Sequence, residues 1–117
     1  DLLSVTLKGI EGKEKIQSIL QNLRDNPPAY LGNSKVIACR DYKEGIRKNL
    51  IENTNTNLVL PKSNVLYYEL EDSAWCCIRP SGTEPKVKFY FGVKAENMQK
   101  AEARLEKLKT SAIEIIN

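Results

Sequence analysis

The 117-residue chain is 41% hydrophobic and 28% charged, proportions that suit one globular domain with its own core rather than a disordered or fibrous chain. Its net charge of +3, from 18 Lys and Arg against 15 Asp and Glu, is interspersed along the chain, which argues against a nucleic-acid-binding stripe. The absence of histidine removes His general bases, Ser-His-Asp triads and His metal sites, and no apolar run approaches the roughly 20 residues of a membrane span.

The chain opens Asp1-Leu2-Leu3-Ser4-Val5-Thr6-Leu7, with neither an initiator Met nor the basic start and apolar stretch of a secretory leader, so it reads as a piece of a longer polypeptide. Residues 1–12, punctuated by Gly9 and Gly12, are expected to form a linker or hinge, and 13–117 the domain proper. Ile16, Ile19, Leu20 and Leu23 then fall at helical spacing, and Asn26-Pro27-Pro28 ends that helix. After the Gly32-Asn33 turn signal, 34–42 reads as a strand. Residues 43–64, with Asn53-Thr54-Asn55-Thr56-Asn57 at their centre, have the composition of a long, mobile exposed loop.

Three closely spaced strands follow at 65–70, 74–79 and 86–93, the first two joined by Glu71-Asp72-Ser73. The last alternates most clearly, with Val87, Phe89, Phe91 and Val93 on one face and Lys86, Lys88, Tyr90 and Gly92 on the other. From Glu96 onward, Met98, Ala101, Leu105, Leu108, Ala112 and Ile115 mark a long amphipathic helix among Lys and Glu residues. This run is too short for a coiled coil and is expected to dock on the sheet. The order of elements predicts an α+β fold, a mostly antiparallel sheet with helices on one face. Cys39, Cys76 and Cys77 are odd in number and lack a C-x-x-C spacing, so they read as buried, reduced thiols of a cytoplasmic protein.

Chemistry concentrates in Arg79-Pro80-Ser81-Gly82-Thr83-Glu84-Pro85-Lys86. Arg79 ends a strand and offers a planar fork of donors suited to two phosphate oxygens at once. Ser81 and Thr83 add hydroxyl donors, Gly82 permits the φ > 0 that lets backbone N–H groups converge on an anion, and the prolines stiffen both flanks. Lys86 and Lys88 add positive potential. The same residues also suit an ordinary polar turn between strands. The G-x-x-x-x-G-K-[ST] pattern of nucleotide-binding loops is absent.

The run Arg79-Pro80-Ser81-Gly82-Thr83-Glu84-Pro85-Lys86-Val87-Lys88-Phe89-Tyr90 resembles the phosphate-binding signature in the fourth, C-terminal domain of the α-D-phosphohexomutases. Leu7-Lys8-Gly9-Ile10-Glu11-Gly12, Asp41-Tyr42-Lys43-Glu44-Gly45 and Leu60-Pro61-Lys62-Ser63-Asn64-Val65-Leu66 resemble the bacterial phosphoglucomutase and phosphopentomutase-like branch, so the likeness spans nearly the whole chain. The resemblance implies a TATA-box-binding-protein-like fold, a mostly antiparallel four-stranded sheet with two helices packed on one face. It implies that Arg79, Ser81, Gly82, Thr83 and Lys88 hold the non-reacting phosphate of a phosphosugar, while a parent enzyme interconverts hexose 1-phosphate and hexose 6-phosphate by intramolecular phosphoryl transfer. Glu84 falls to loop structure.

By the same resemblance the catalytic phosphoserine, the Mg2+ site and the sugar-reading loop belong to the other three domains. No catalytic or metal-binding residue is expected here, and the isolated chain is expected to be inactive. Its expected partners are a phosphosugar and those three domains, with neither nucleic acid nor membrane. Two other readings compete: a stand-alone polyanion or RNA-binding module using Lys86, Lys88 and Tyr90 on an exposed sheet face, and a dimerisation module using the C-terminal helix. The first would display two or three stacking aromatics, whereas this polar face shows chiefly one.

Overall fold

Along Leu66–Leu70, Trp75–Ile78 and Lys86–Gly92, every second residue is buried and its neighbours are partly exposed, the period-2 signature of strands with one covered face. The computed structural model describes residues 2–6, 9–81 and 86–116. In chain order these form β1 (Leu2–Thr6), α1 (Gly9–Asp25), β2 (Tyr30–Leu31), β3 (Ser34–Asp41), β4 (Ile46–Asn49), β5 (Thr54–Asn57), β6 (Leu66–Leu70), β7 (Trp75–Pro80), β8 (Lys86–Gly92) and α2 (Met98–Ile116). Among them the sheet runs β1-β8-β7-β6-β3-β4-β5, with β2 paired to β3, and every pairing is antiparallel.

The α+β class and the two helices match the expectation from sequence, but the sheet exceeds four strands. Of residues 1–12, read as a linker, Leu2–Thr6 pairs with β8 and Gly9 opens α1. The stretch 43–64, read as a long exposed loop, contains the β4–β5 hairpin. All four residues of β5 are exposed, so no hydrophobic alternation announces it. Glu71–Ser73 is a 3-10 turn with Asp72 and Ser73 at φ of 59° and 61°.

The helix-side face of the sheet carries Val87, Phe89 and Phe91 from β8, Cys76 and Ile78 from β7, Leu66, Tyr68 and Leu70 from β6, and Val36 and Cys39 from β3. A register shift between Val36 and Ala38 puts Val36 and Cys39, three apart, on that one face. Ile16, Leu20 and Leu23 of α1 and Leu108 and Ala112 of α2 close over it. Met98, counted in the apolar stripe, is 75% exposed. It starts α2 just after Asn97, whose Oδ1 accepts the Lys100 N–H at 2.9 Å and so caps the helix before its apolar face reaches the sheet.

Gly32 tucks the β2–β3 turn under α2. It has φ +55°, a Cβ there would lie 2.8 Å from the Leu108 backbone N, and its N–H donates to Ser111 Oγ at 2.7 Å. A buried ion pair joins α1 to the start of the hairpin segment. Arg24 Nε donates to Asp41 Oδ1 at 3.1 Å and its Nη2 to Asn64 Oδ1 at 2.6 Å, while Asp41 Oδ1 also accepts the N–H groups of Lys43 and Glu44 at 3.1 and 3.2 Å.

Cys39 and Cys76 are buried and Cys77 is partly buried, all free. Burial, reinforced by the Asp41 charge, pushes the Cys39 thiol up to about 12, and burial raises Cys76 and Cys77 as well. Since the thiolate is the nucleophile, Cys39 and Cys76 should resist Ellman's reagent at pH 8 in the native chain, and all three should react in guanidinium. Rapid release of three equivalents from native protein would contradict this packing.

Candidate functional site

The face of the sheet opposite the helices is open and carries the chemistry. Strand parity places Trp75, Cys77 and Arg79 of β7 there, with Lys86, Lys88, Tyr90 and Gly92 of β8 and Tyr67 and Glu69 of β6. Arg79 and Lys88 are register partners, as are Cys77 and Tyr90, and Trp75 and Gly92. Side chains directly opposite on one face sit close together, and like charges so placed repel. Neither Arg79 nor Lys88 has an ion-pair partner among the described residues. Two cations paired across the strands, with no counter-charge among the described residues, raise the local positive potential.

Beyond them the Ser81 N–H donates to the Lys86 carbonyl at 2.8 Å, closing the base of the β7–β8 loop. Ser81 therefore emerges beside Arg79 and Lys88. Gly82 and Thr83, with Glu84 and Pro85, lie outside the described residues. Lys86 shares the open face with Lys88, one pair closer to the loop.

From the Arg79 end a shallow concavity of about 590 Å3 runs along the face, lined by Ser63, Val65, Tyr67, Trp75, Cys77, Arg79 and Tyr90. The Tyr67 and Trp75 rings are nearly parallel, 5.6 Å apart and 11° from coplanar, and the Arg40 guanidinium lies 4.7 Å from the Tyr67 ring centroid. A Cβ on Gly92 would stand 2.1 Å from Trp75 Nε1, so the missing side chain is what lets the indole lie across β8. The face thus shows three aromatics where the sequence suggested chiefly one. Trp75 shares strand parity with Arg79, a signal already present in the even spacing of 75, 77 and 79.

Next to the aromatics, Glu69 accepts from Arg47 Nε and Nη2 at 2.6 and 3.0 Å and from Arg40 Nε at 3.1 Å. The Arg47 fork, with help from Arg40, holds the Glu69 carboxyl below its ordinary 4.5. A depressed carboxylate stabilises the fold fully above its ordinary value and loses that contribution as pH falls through the folded-state value. Glu69→Gln should therefore cost up to about 1 kcal/mol at pH 7 and show a smaller drop in Tm between neutral pH and pH 3 than the parent chain; equal acid sensitivity would remove Glu69 from the network.

Comparison with known proteins bears on what this face serves. The sequence model of the family described as "Phosphoglucomutase/phosphomannomutase, C-terminal domain" matches residues 28–109. The chain belongs to this family. The match spans β2 to β8 and most of α2, and so takes in the Arg79–Lys88 pair and the β7–β8 loop. Phosphoglucomutase from Staphylococcus aureus strain MSSA476 is 44% identical over 96 residues, covering 82% of this chain and 17% of that protein. Phosphoglucomutase from strain MRSA252 is 44% identical over 93 residues, covering 80% and 17%. The chain thus spans about a sixth of the length of the curated relatives it matches, at 17%. Among the described residues, no helix is long and apolar enough to cross a membrane.

Proposed function

We propose that this chain acts as the C-terminal domain of a phosphoglucomutase-type parent and grips the non-reacting phosphate of a phosphosugar. Arg79, Ser81, Gly82, Thr83 and Lys88 make the contacts, while the parent interconverts hexose 1-phosphate and hexose 6-phosphate. The observation that carries this reading is the cross-strand pairing of Arg79 with Lys88, two cations without an ion pair among the described residues, at the mouth of the loop that Ser81 and Lys86 close. A dianionic phosphate there relieves their repulsion and accepts charge-assisted hydrogen bonds, each contributing roughly 1.5–3 kcal/mol. Binding energy spent on a phosphate remote from the reacting centre serves to orient the chemistry.

The phosphoserine and Mg2+ are assigned to the parent's other domains. On this reading the chain's role is confined to binding phosphate, and the isolated chain is expected to be inactive. Its free thiols support a cytoplasmic setting.

Lys88 separates this proposal from an ordinary turn. In the full-length parent, Lys88→Ala should raise KM for glucose 1-phosphate about tenfold, the weight of one lost charge-assisted contact. An unchanged KM would return Lys88 to the status of a strand lysine.

The three aromatics invite RNA binding as a second reading. However, Tyr67 and Trp75 stack on one another and Arg40 covers Tyr67, so ring faces that bases would use are already occupied.

A further inference from the structure

β5 ends the sheet on the side away from β8. In the order β7-β6-β3-β4-β5 three strands separate it from Arg79, and all four of its residues are exposed. Sheet edges are commonly blunted by charge, proline or a bulge, because their unpaired N–H and C=O groups recruit another strand. Thr54-Asn55-Thr56-Asn57 has none of these, and between Leu50 and Leu60 the one charged residue is Glu52.

Apolar side chains bracket this neutral edge. Ile51, at the hairpin tip, is 54% exposed, and Val59 and Leu60, beyond the other end of β5, are 95% and 58% exposed. A patch with that arrangement is self-complementary, since a two-fold axis through the strand brings the tip of each copy beside the far end of the other.

Backbone chemistry selects the axis. The Leu58 N–H donates to the Gly45 carbonyl at 2.9 Å, and the same register pairs Arg47 with Thr56 and Asn49 with Thr54. Hydrogen-bonded pairs alternate with unbonded ones in an antiparallel ladder, so Thr54, Thr56 and Leu58 turn their backbone groups toward β4, and Asn55 and Asn57 turn theirs outward. Two copies of β5 can pair only with outward residues facing outward residues, and the fullest overlap then centres the axis on Asn55 or on Thr56. Centred on Asn55, the pairing sets Asn55 against its own counterpart, Thr54 against Thr56, and the Ile51 tip beside Val59 and Leu60. Centred on Thr56, it slides Ile51 on to Pro61 and sets Glu52 against Leu60.

We propose that β5 is a self-association edge, at which a second copy of this chain adds its own β5 antiparallel about a two-fold axis at Asn55 and joins the two sheets into one. The inference is independent of phosphate binding, and the Arg79–Lys88 end of each copy stays open in the pair. A four-residue edge flanked by three apolar side chains is a small contact, so the pair forms and separates with concentration.

Sedimentation equilibrium of the chain, whose core its own two helices close, tests this at concentrations up to about 1 mM, where so small a contact registers. The mass is expected to climb from 13.2 kDa toward twice that value. Asn55 is exposed, so Asn55→Lys and Asn55→Asp leave the fold intact while setting like charges face to face across the axis. Each variant is expected to stay monomeric alone, and an equimolar mixture of the two to regain the dimer. An unsubstituted chain that holds at 13.2 kDa throughout would overturn the inference. So would association that persists in both single variants, which marks another surface such as α2, or a mixture that remains monomeric, which takes Asn55 off the axis.

Discussion

Arg79→Ala in the full-length parent is expected to lower kcat/KM by about 100-fold or more, the equivalent of two charge-assisted hydrogen bonds lost together, with no change in folding. Arg79 is exposed at the end of β7 and has no ion pair among the described residues, so its removal should move stability by no more than about 0.5 kcal/mol. Arg79→Lys keeps the charge but loses the planar fork, so it should recover only part of the activity. A comparable loss in both kcat/KM and stability would mean that the residue supports the strand end; an unchanged kcat/KM would remove it from the phosphate site.

The largest expected loss of stability is at Asp41. Its carboxylate faces Arg24 with both side chains 6% exposed, at 3.1 Å, and the same oxygen turns the chain into the hairpin segment through the Lys43 and Glu44 N–H groups. Asp41→Ala strands a buried guanidinium, a change that typically costs about 3–5 kcal/mol. That is a large part of the roughly 5–15 kcal/mol of a whole domain. The denaturation midpoint of the chain should fall accordingly. Arg24→Met combined with Asp41→Asn should be milder, because no charge is left unpaired and the turn keeps an acceptor. If Asp41→Ala proved as mild as the double variant, the pair would not be buried as described.

Periodicity makes part of this fold readable in the sequence. β8 alternates residue by residue and α2 repeats every three to four residues because each has one buried face. The β4–β5 hairpin was illegible for the converse reason: β5 buries nothing, and its Asn and Thr residues match the composition of a loop. Met98 misled because an apolar residue at helical spacing is counted with the stripe whether or not the helix has yet reached the sheet. For the candidate site, the residue types around Ser81 pointed to phosphate, but the facing of Arg79 and Lys88 depends on strand register, set by the length of the β7–β8 loop. Likewise Trp75 joins Tyr90 on the open face only once β6, β7 and β8 are known to be neighbours and Gly92 is seen to leave room for the indole.

The central claim is that the β7–β8 end of the sheet is a phosphate receptor, and titrating the chain with inorganic phosphate and glucose 1-phosphate while following its amide and side-chain NMR signals tests it most directly. Saturable shifts confined to Arg79, Ser81, Gly82, Thr83 and Lys88, abolished by Arg79→Ala, are the predicted result. Shifts that never saturate, or that spread evenly over the open face and survive Arg79→Ala, would contradict it.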